Sequence, residues 1–302
     1  MNRKKKATDV GADFRAIAKA SGTTVEHPAR LSLWNAWYQP VNLASMLHGS
    51  TAFLICGGPS LVDNDLSLLD RRGITTMGVN NSWLVYRPKM WVCVDNPQRF
   101  AFNGWHDPGV MKFAPSCHMK GKLRRGDAHG NRDAGLTVRD CPNVFCFQRS
   151  NLFNPDKWLD ETEAGWGNGA KRTDTLGITG QRSVMLVAMK ILFHMGAREV
   201  YCVGADFGMS QRRKYAFAEV RTKAAVRHNN KLYKALDQRF ACLRPQFEER
   251  NFHVYNCTKD SGLTAFDFVD FEEAIERTTS RCMTPVDPSG WYCKNPEQNN
   301  NA

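Results

Sequence analysis

The sequence predicts an α/β fold: a Rossmann-like, mostly parallel sheet covered by helices on both faces, with a helical C-terminal elaboration. Three observations lead there. Several short segments are continuously apolar rather than alternating, which is the pattern of strands buried on both faces. GQRSVMLVAMKILFHMG, 180–196, is apolar nearly all round and runs through Gly196 into the next strand-like segment, so it reads as a buried helix inside a crossover. Small or amide residues follow strand after strand, among them Gly57-Gly58, Asn80-Asn81, Asp95-Asn96 and Gly204 with Asp206.

The elements follow in order. Residues 1–29 form a basic arm that opens with Arg3 to Lys6, and 30–280 form one nucleotide-binding domain. The stretch 30–48 carries two tryptophans and several aliphatics and is expected on the core. A strand at 51–56 ends in the turn Gly57-Gly58-Pro59-Ser60, and a helix is expected near Asp63, whose side chain can cap it. Further strands are expected at 74–80, 89–95, 110–115 and 143–148, with 119–140 read as a basic surface loop or insertion. Residues 150–177 lack periodicity. After the helix at 180–196, EVYCVGADF at 199–207 reads as a strand, then a basic loop with Arg212, Arg213 and Lys214. Leu232, Leu236, Phe240, Leu243 and Phe247 recur at helical spacing, in a helix that Pro245 kinks or ends. A strand at 252–257, a helix at 268–278 and a loose polar tail at 281–302 complete the chain.

Composition narrows the class. Hydrophobic content of 42% is too high for a disordered chain, and no apolar run approaches the roughly 20 residues needed to span a bilayer. The basic N-terminus has no apolar segment behind it, so it does not read as a secretory signal. The ten cysteines lie mostly inside strand-like runs and form no C-x-x-C pair, which points to reduced structural thiols and away from zinc. The expected location is cytoplasmic. The net charge of +11 is clustered, at Lys120, Lys122, Arg124 and Arg125 as well as at the arm and at 212–214. Such clusters suit an anionic partner: nucleic acid, nucleotide or anionic glycan.

In open parallel sheets ligands bind beyond the carboxyl ends of the strands. The residues there are Gly57, Gly58, Ser60, Asn80, Asn96 and Asp206, joined by Thr179 and Gly180 at the anion-ready start of the buried helix. The G-G-P-S turn has the spacing of neither the dinucleotide fingerprint nor the P-loop. Asp63-Asn64-Asp65 imitates a D-x-D metal motif but lies where a helix should begin, so capping is the expected role and no metal site is assigned.

The ordered motifs CGGPSL, GVNNSW, VDNP, ITGQRSVMLVAMKILFHMGAREVYCVGADF, KYAFAE and HNNKLYKAL, over about residues 50–260, carry a resemblance. The chain resembles the CMP-sialic-acid-dependent bacterial sialyltransferases of glycosyltransferase family 42. It is also similar to the motility-accessory-factor glycosyltransferases, to the MptE-like 6-hydroxymethylpterin diphosphokinases and to proteins of tailed phages. The resemblance implies a metal-independent glycosyltransferase that uses a nucleotide-sugar donor and needs no further cofactor. It implies that Gly57, Gly58, Ser60, Asn80, Asn96, Thr179 and Gly180 hold the nucleotide. Tyr215 of KYAFAE would bond the leaving phosphate, and His228 would be the general base.

The chemistry agrees. A neutral histidine can take the proton of an acceptor hydroxyl, and Tyr215 beside Arg213 can stabilise the departing phosphate. Gly57, Gly180 and Gly208 stand where the family usually carries asparagine, serine and tyrosine. A polyanionic acceptor, such as DNA with a hydroxymethylated base or an anionic glycan, would suit the charge; a phage-encoded enzyme would act in the host cytoplasm. Two alternatives remain open at this point. One is magnesium-dependent diphosphoryl transfer to a small heterocyclic alcohol, with Asp95 and Asp206 as metal candidates. The other is a non-catalytic nucleotide- or nucleic-acid-binding protein.

Overall fold

The apolar runs pair into a sheet in which the inner strand Thr51–Ile55 is buried at every residue, whereas the edge strand His253–Asn256 is buried only at alternate residues. In the computed structural model, residues 31–44, 46–127, 130–151, 154–165, 183–210, 213–219 and 221–280 are described. The basic arm, the tail, Thr179 and Gly180 lie outside them.

The strands are β1 (Leu33–Asn35), β2 (Pro40–Val41), β3 (Thr51–Ile55), β4 (Thr75–Val79), β5 (Met90–Val92) and β6 (Met111–Pro115). They continue as β7 (Lys122–Asp127), β8 (Gly130–Thr137), β9 (Val144–Phe147), β10 (Arg149–Ser150), β11 (Ala164–Gly165), β12 (Glu199–Val203) and β13 (His253–Asn256). The helices are α1 (Phe102–His106), α2 (Val184–Met195), α3 (Lys223–Glu249) and α4 (Phe271–Ser280).

Nine strands form one mixed sheet in the order β13-β12-β3-β4-β5-β6-β9-β1-β2. It is parallel from β13 to β9, and β1 and β2 add two antiparallel strands at one edge. That edge ends on Pro40, which has no N–H to offer a further strand. At the other edge the Asn256 N–H donates to the Asp267 carbonyl (2.9 Å), and the Val269 N–H donates to that of Asn256 (3.1 Å). The chain leaves β3 outward through β4, β5, β6 and β9, then returns to lay β12 on the opposite side of β3. Strand order therefore reverses between β3 and β12, where the register Thr51↔Glu199 to Ile55↔Val203 brings both strand exits side by side.

Alternate residues of each strand enter different clusters. Ala52, Leu54, Met77, Val92 and Cys202 pack with Leu186, Met189 and Leu192 of α2 and with Leu236, Phe240 and Leu243 of α3. On the other face Phe53, Ile55, Tyr201 and Val203 meet Phe271, Ala274 and Ile275 of α4. Further along that face, Trp91 of β5 stands between Phe100 and Trp105.

Local signals explain the helix ends. The Ser183 hydroxyl accepts the Met185 N–H (3.1 Å) at the start of α2, and Gly196 closes it in the left-handed conformation, φ 99°. The start thus falls later than the expected residue 180. Pro245 neither ends α3 nor stops its packing, since Leu243 and Phe247 on either side are buried in the core. One missing backbone bond is outweighed by those contacts. The helix expected at Asp63 is two 3₁₀ turns, Pro59–Asp63 and Leu66–Asp70, and Asp65 rather than Asp63 caps the second by accepting the Ser67 N–H (3.1 Å). The segment expected as a surface loop or insertion at 119–140 contains the antiparallel hairpin β7–β8. Its exposed side chains hide the pairing from an apolar pattern.

One charge is buried in β6. The Lys112 ammonium donates to the carbonyls of Val110 (3.0 Å) and Pro142 (2.7 Å), and to that of Asp107. Burial lowers its pKa to about 8. Six of the described cysteines are buried and two, Cys117 and Cys242, are exposed; all are free thiols. Among the described residues no helix is long and apolar enough to cross a membrane.

Candidate functional site

The exits of β3 and β12 are joined by backbone. The Cys56 N–H donates to the Val203 carbonyl and the Gly58 N–H to the Gly204 carbonyl, both at 2.8 Å. Gly58 is held so close that a Cβ there would sit 2.0 Å from Asp206 Oδ2 and 2.5 Å from the Gly204 oxygen. The glycine serves the packing of two strand exits. Asp206 in turn accepts the Ser60 hydroxyl (2.7 Å) and its N–H (3.2 Å). Burial pushes the Asp206 carboxyl above its ordinary value, and the Ser60 hydrogen bonds oppose that rise.

The segment 213–219 crosses this turn as a strap. The Ala216 N–H donates to the Gly57 carbonyl (3.1 Å), and Arg213 Nη2 donates to the Pro59 carbonyl (2.8 Å) and the Asp63 carboxylate (2.9 Å). Phe217 lies over Gly57, where a Cβ would meet its ring at 3.0 Å. Tyr215 stacks on Phe217 with ring centres 5.0 Å apart and planes 10° apart. Burial raises the Tyr215 pKa, partly opposed by Arg221, whose guanidinium lies 5.7 Å from the ring centre.

Asn80, after β4, adopts a left-handed φ of 49°, which asparagine tolerates better than most residues. Its carbonyl accepts the Trp91 indole N–H (2.7 Å), while its side-chain Oδ1 is buried with no hydrogen-bond partner. Phe207, beyond β12, is also left-handed at φ 49° and packs against Tyr233 of α3, with ring centres 5.2 Å apart and planes tilted by 32°. A bulky residue in that conformation stores strain that packing must outweigh. The following turn is clamped to α3, where Asn230 both accepts the Met209 N–H (2.8 Å) and donates to its carbonyl (2.9 Å).

These exits enclose a cleft of about 370 Å³, within the range of small-molecule sites. Of the sequence-predicted residues, Gly57, Gly58, Asn80, Asp206 and Tyr215 line it. Ser60 stands behind Asp206. Asn96 accepts the Gln98 N–H (3.0 Å) as the cap of a turn, Arg213 is paired with Asp63, and His228 is exposed on α3; none of the three lines the cleft. Also lining it are Lys214, expected beside Tyr215 as a phosphate-facing cation, and Asp95, expected only as a metal candidate, together with Ser183, Phe217 and Tyr233, which the sequence did not single out. Tyr233 precedes Leu236 and Phe240 by three and seven residues, so helical spacing is the signal that could have found it, although the expected series begins at Leu232. The N-terminus of α2 opens into the cleft through Ser183, Val184 and Met185, adding the positive end of a helix dipole. Among the described residues no three acidic, histidine or cysteine side chains stand together as a metal-binding group.

No family model, no curated protein and no solved structure matches the chain.

Proposed function

We propose that the chain is a nucleotide-sugar-dependent glycosyltransferase of Rossmann-like architecture, with helices covering both faces of its sheet. One observation carries the reading: a nucleotide-sized cleft lies at the reversal of strand order, with a helix N-terminus opening into it. The unpartnered Asn80 Oδ1 supports a donor group on the ligand, such as a base amine or a ribose hydroxyl. The phosphate of the donor is assigned to the α2 N-terminus and Lys214, and Tyr215 is assigned to stabilise it as it leaves. The glycosyl bond to phosphate breaks, the acceptor oxygen bonds the anomeric carbon, and the acceptor proton passes to a base. His228 keeps the role of base on the motif resemblance alone: it sits on α3 five residues before Tyr233, about 7.5 Å along the axis and roughly 140° round it, and does not line the cleft.

Thermal shift against CMP, UDP, GDP and ATP tests binding, because a ligand of the folded state raises the midpoint. A shift by a pyrimidine or guanine nucleotide, followed by donor hydrolysis that Tyr215→Phe and His228→Ala suppress, is the expected result. Binding that survives with no turnover of any donor would instead indicate a non-catalytic nucleotide-binding protein.

A second reading is favoured by Asp95 and Asp206, which both line the cleft. Two carboxylates suit magnesium held mainly through substrate phosphates, as in diphosphoryl transfer. A shift produced by ATP only with magnesium would select it.

A further inference from the structure

A second groove, of about 560 Å³, opens beside the cleft and shares Asn81 with it. Its walls differ in kind. The cleft contains Asp95 and Asp206, whereas the groove is lined by Arg99, Arg124 and Arg125, with Leu84 and Phe102, and by no acidic residue among those described. Arg124 and Arg125 are exposed and come from the hairpin β7–β8.

The hairpin is over-supplied with charge. Lys122 is paired with Asp133 (2.9 Å), but Arg125 stands directly across the ladder from Arg132. Like charges in opposed positions destabilise a hairpin. Neither arginine makes an ion pair among the described residues, and Arg99 has only Asp95 at 3.5 Å, with both side chains about half exposed. An external anion lying between the guanidinium groups would relieve that repulsion. Guanidinium forks match phosphodiester oxygens two at a time, and the Phe102 ring, with His106 against it at 4.7 Å, gives bases a surface to stack on.

We propose that this groove binds the phosphodiester backbone of a single-stranded nucleic acid and leads it across Asn81 to the cleft. The strand is then the acceptor, a conclusion that rests on the transferase reading above; the binding itself does not.

The test uses the full chain with a fluorescently labelled oligo-dT strand, titrated by anisotropy at several salt concentrations. Each arginine that neutralises a phosphate contributes about 0.7 to the slope of log affinity against log salt on a single strand. The variant R124Q/R125Q, altered only at exposed groove-lining positions, is expected to lose about 1.4 from that slope and roughly 10- to 100-fold in affinity at low salt. An unchanged slope overturns the proposal, as does a sulfated oligosaccharide of matched charge that binds more tightly than the strand. The nucleotide thermal shift of the wild-type protein is measured in parallel. Strand binding lost in the variant, with no nucleotide shift in the wild type, upholds the groove and removes the transferase reading; a nucleotide shift with an unchanged slope does the reverse.

Discussion

Gly58→Ala isolates the contact that locks the two strand exits together. The backbone at Gly58, φ −71° and ψ 157°, is open to alanine, so any cost comes from contacts and none from conformation. A Cβ at 2.0 Å from Asp206 Oδ2 and 2.5 Å from the Gly204 carbonyl cannot be absorbed by a small shift. Turning Asp206 away loses its bonds to the Ser60 hydroxyl and N–H, and parting the strand exits loses Gly58 N–H to Gly204 oxygen. Two or three hydrogen bonds at about 1 kcal/mol each, with about 1–3 kcal/mol for overpacking, give a loss of roughly 3–6 kcal/mol. Urea denaturation should show a lower midpoint with an unchanged slope. Gly57→Ala is the control: its Cβ would first meet the Phe217 ring at 3.0 Å, and a ring on the strap can yield, so about 1 kcal/mol or less is expected. A Gly58→Ala protein within 0.5 kcal/mol of wild type would refute the reasoning.

Three further outcomes follow from named contacts. Asp206 has a folded pKa above its ordinary 3.8, so the folded state holds its proton more tightly and stability falls as pH rises through the folded value. Relative to Asp206→Asn, the wild type should therefore gain stability between pH 7 and about 4, and urea midpoints showing a constant difference would count against it. Lys112→Met strips three carbonyls of their donor and should cost about 2–4 kcal/mol by the same assay; an equal or higher midpoint would mean that the ammonium is dispensable. Tyr215→Phe keeps the ring stacked on Phe217, so it should leave the melting temperature nearly unchanged while lowering kcat for donor breakdown about 100-fold or more.

The parallel strands were legible because burial on both faces demands continuous apolar runs, and the runs expected as strands at 51–56, 74–80, 89–95, 110–115, 143–148, 199–207 and 252–257 each contain one. The antiparallel additions were not. β1 and β2 are only three and two residues long, and β7–β8 sends just Leu123 and Ala134 toward a core cluster, with almost no apolar alternation to reveal it. The site was half legible. Residues at strand exits converge because a parallel sheet aligns those exits, so Gly57, Asn80 and Asp206 meet whatever the loop details. Side chains that leave the cleft do so for local reasons. Asn96 finds a nearer N–H at Gln98, and Arg213 finds a carboxylate at Asp63. No composition signal announces such capture. The motif resemblance supplied Tyr215, while Phe217 two residues on emerged only from the folded strap.

The two edges of the sheet bear on how the protein behaves when crowded. An open row of strand N–H and C=O groups invites a second chain to add on, the usual start of edge-to-edge aggregation. Here one edge stops at a two-residue strand whose first member is proline, and the chain's own 267–269 segment occupies the end of the other. Replacing Pro40 would restore a donor to the outermost strand, turning a self-terminating sheet into one that can be extended by a neighbour.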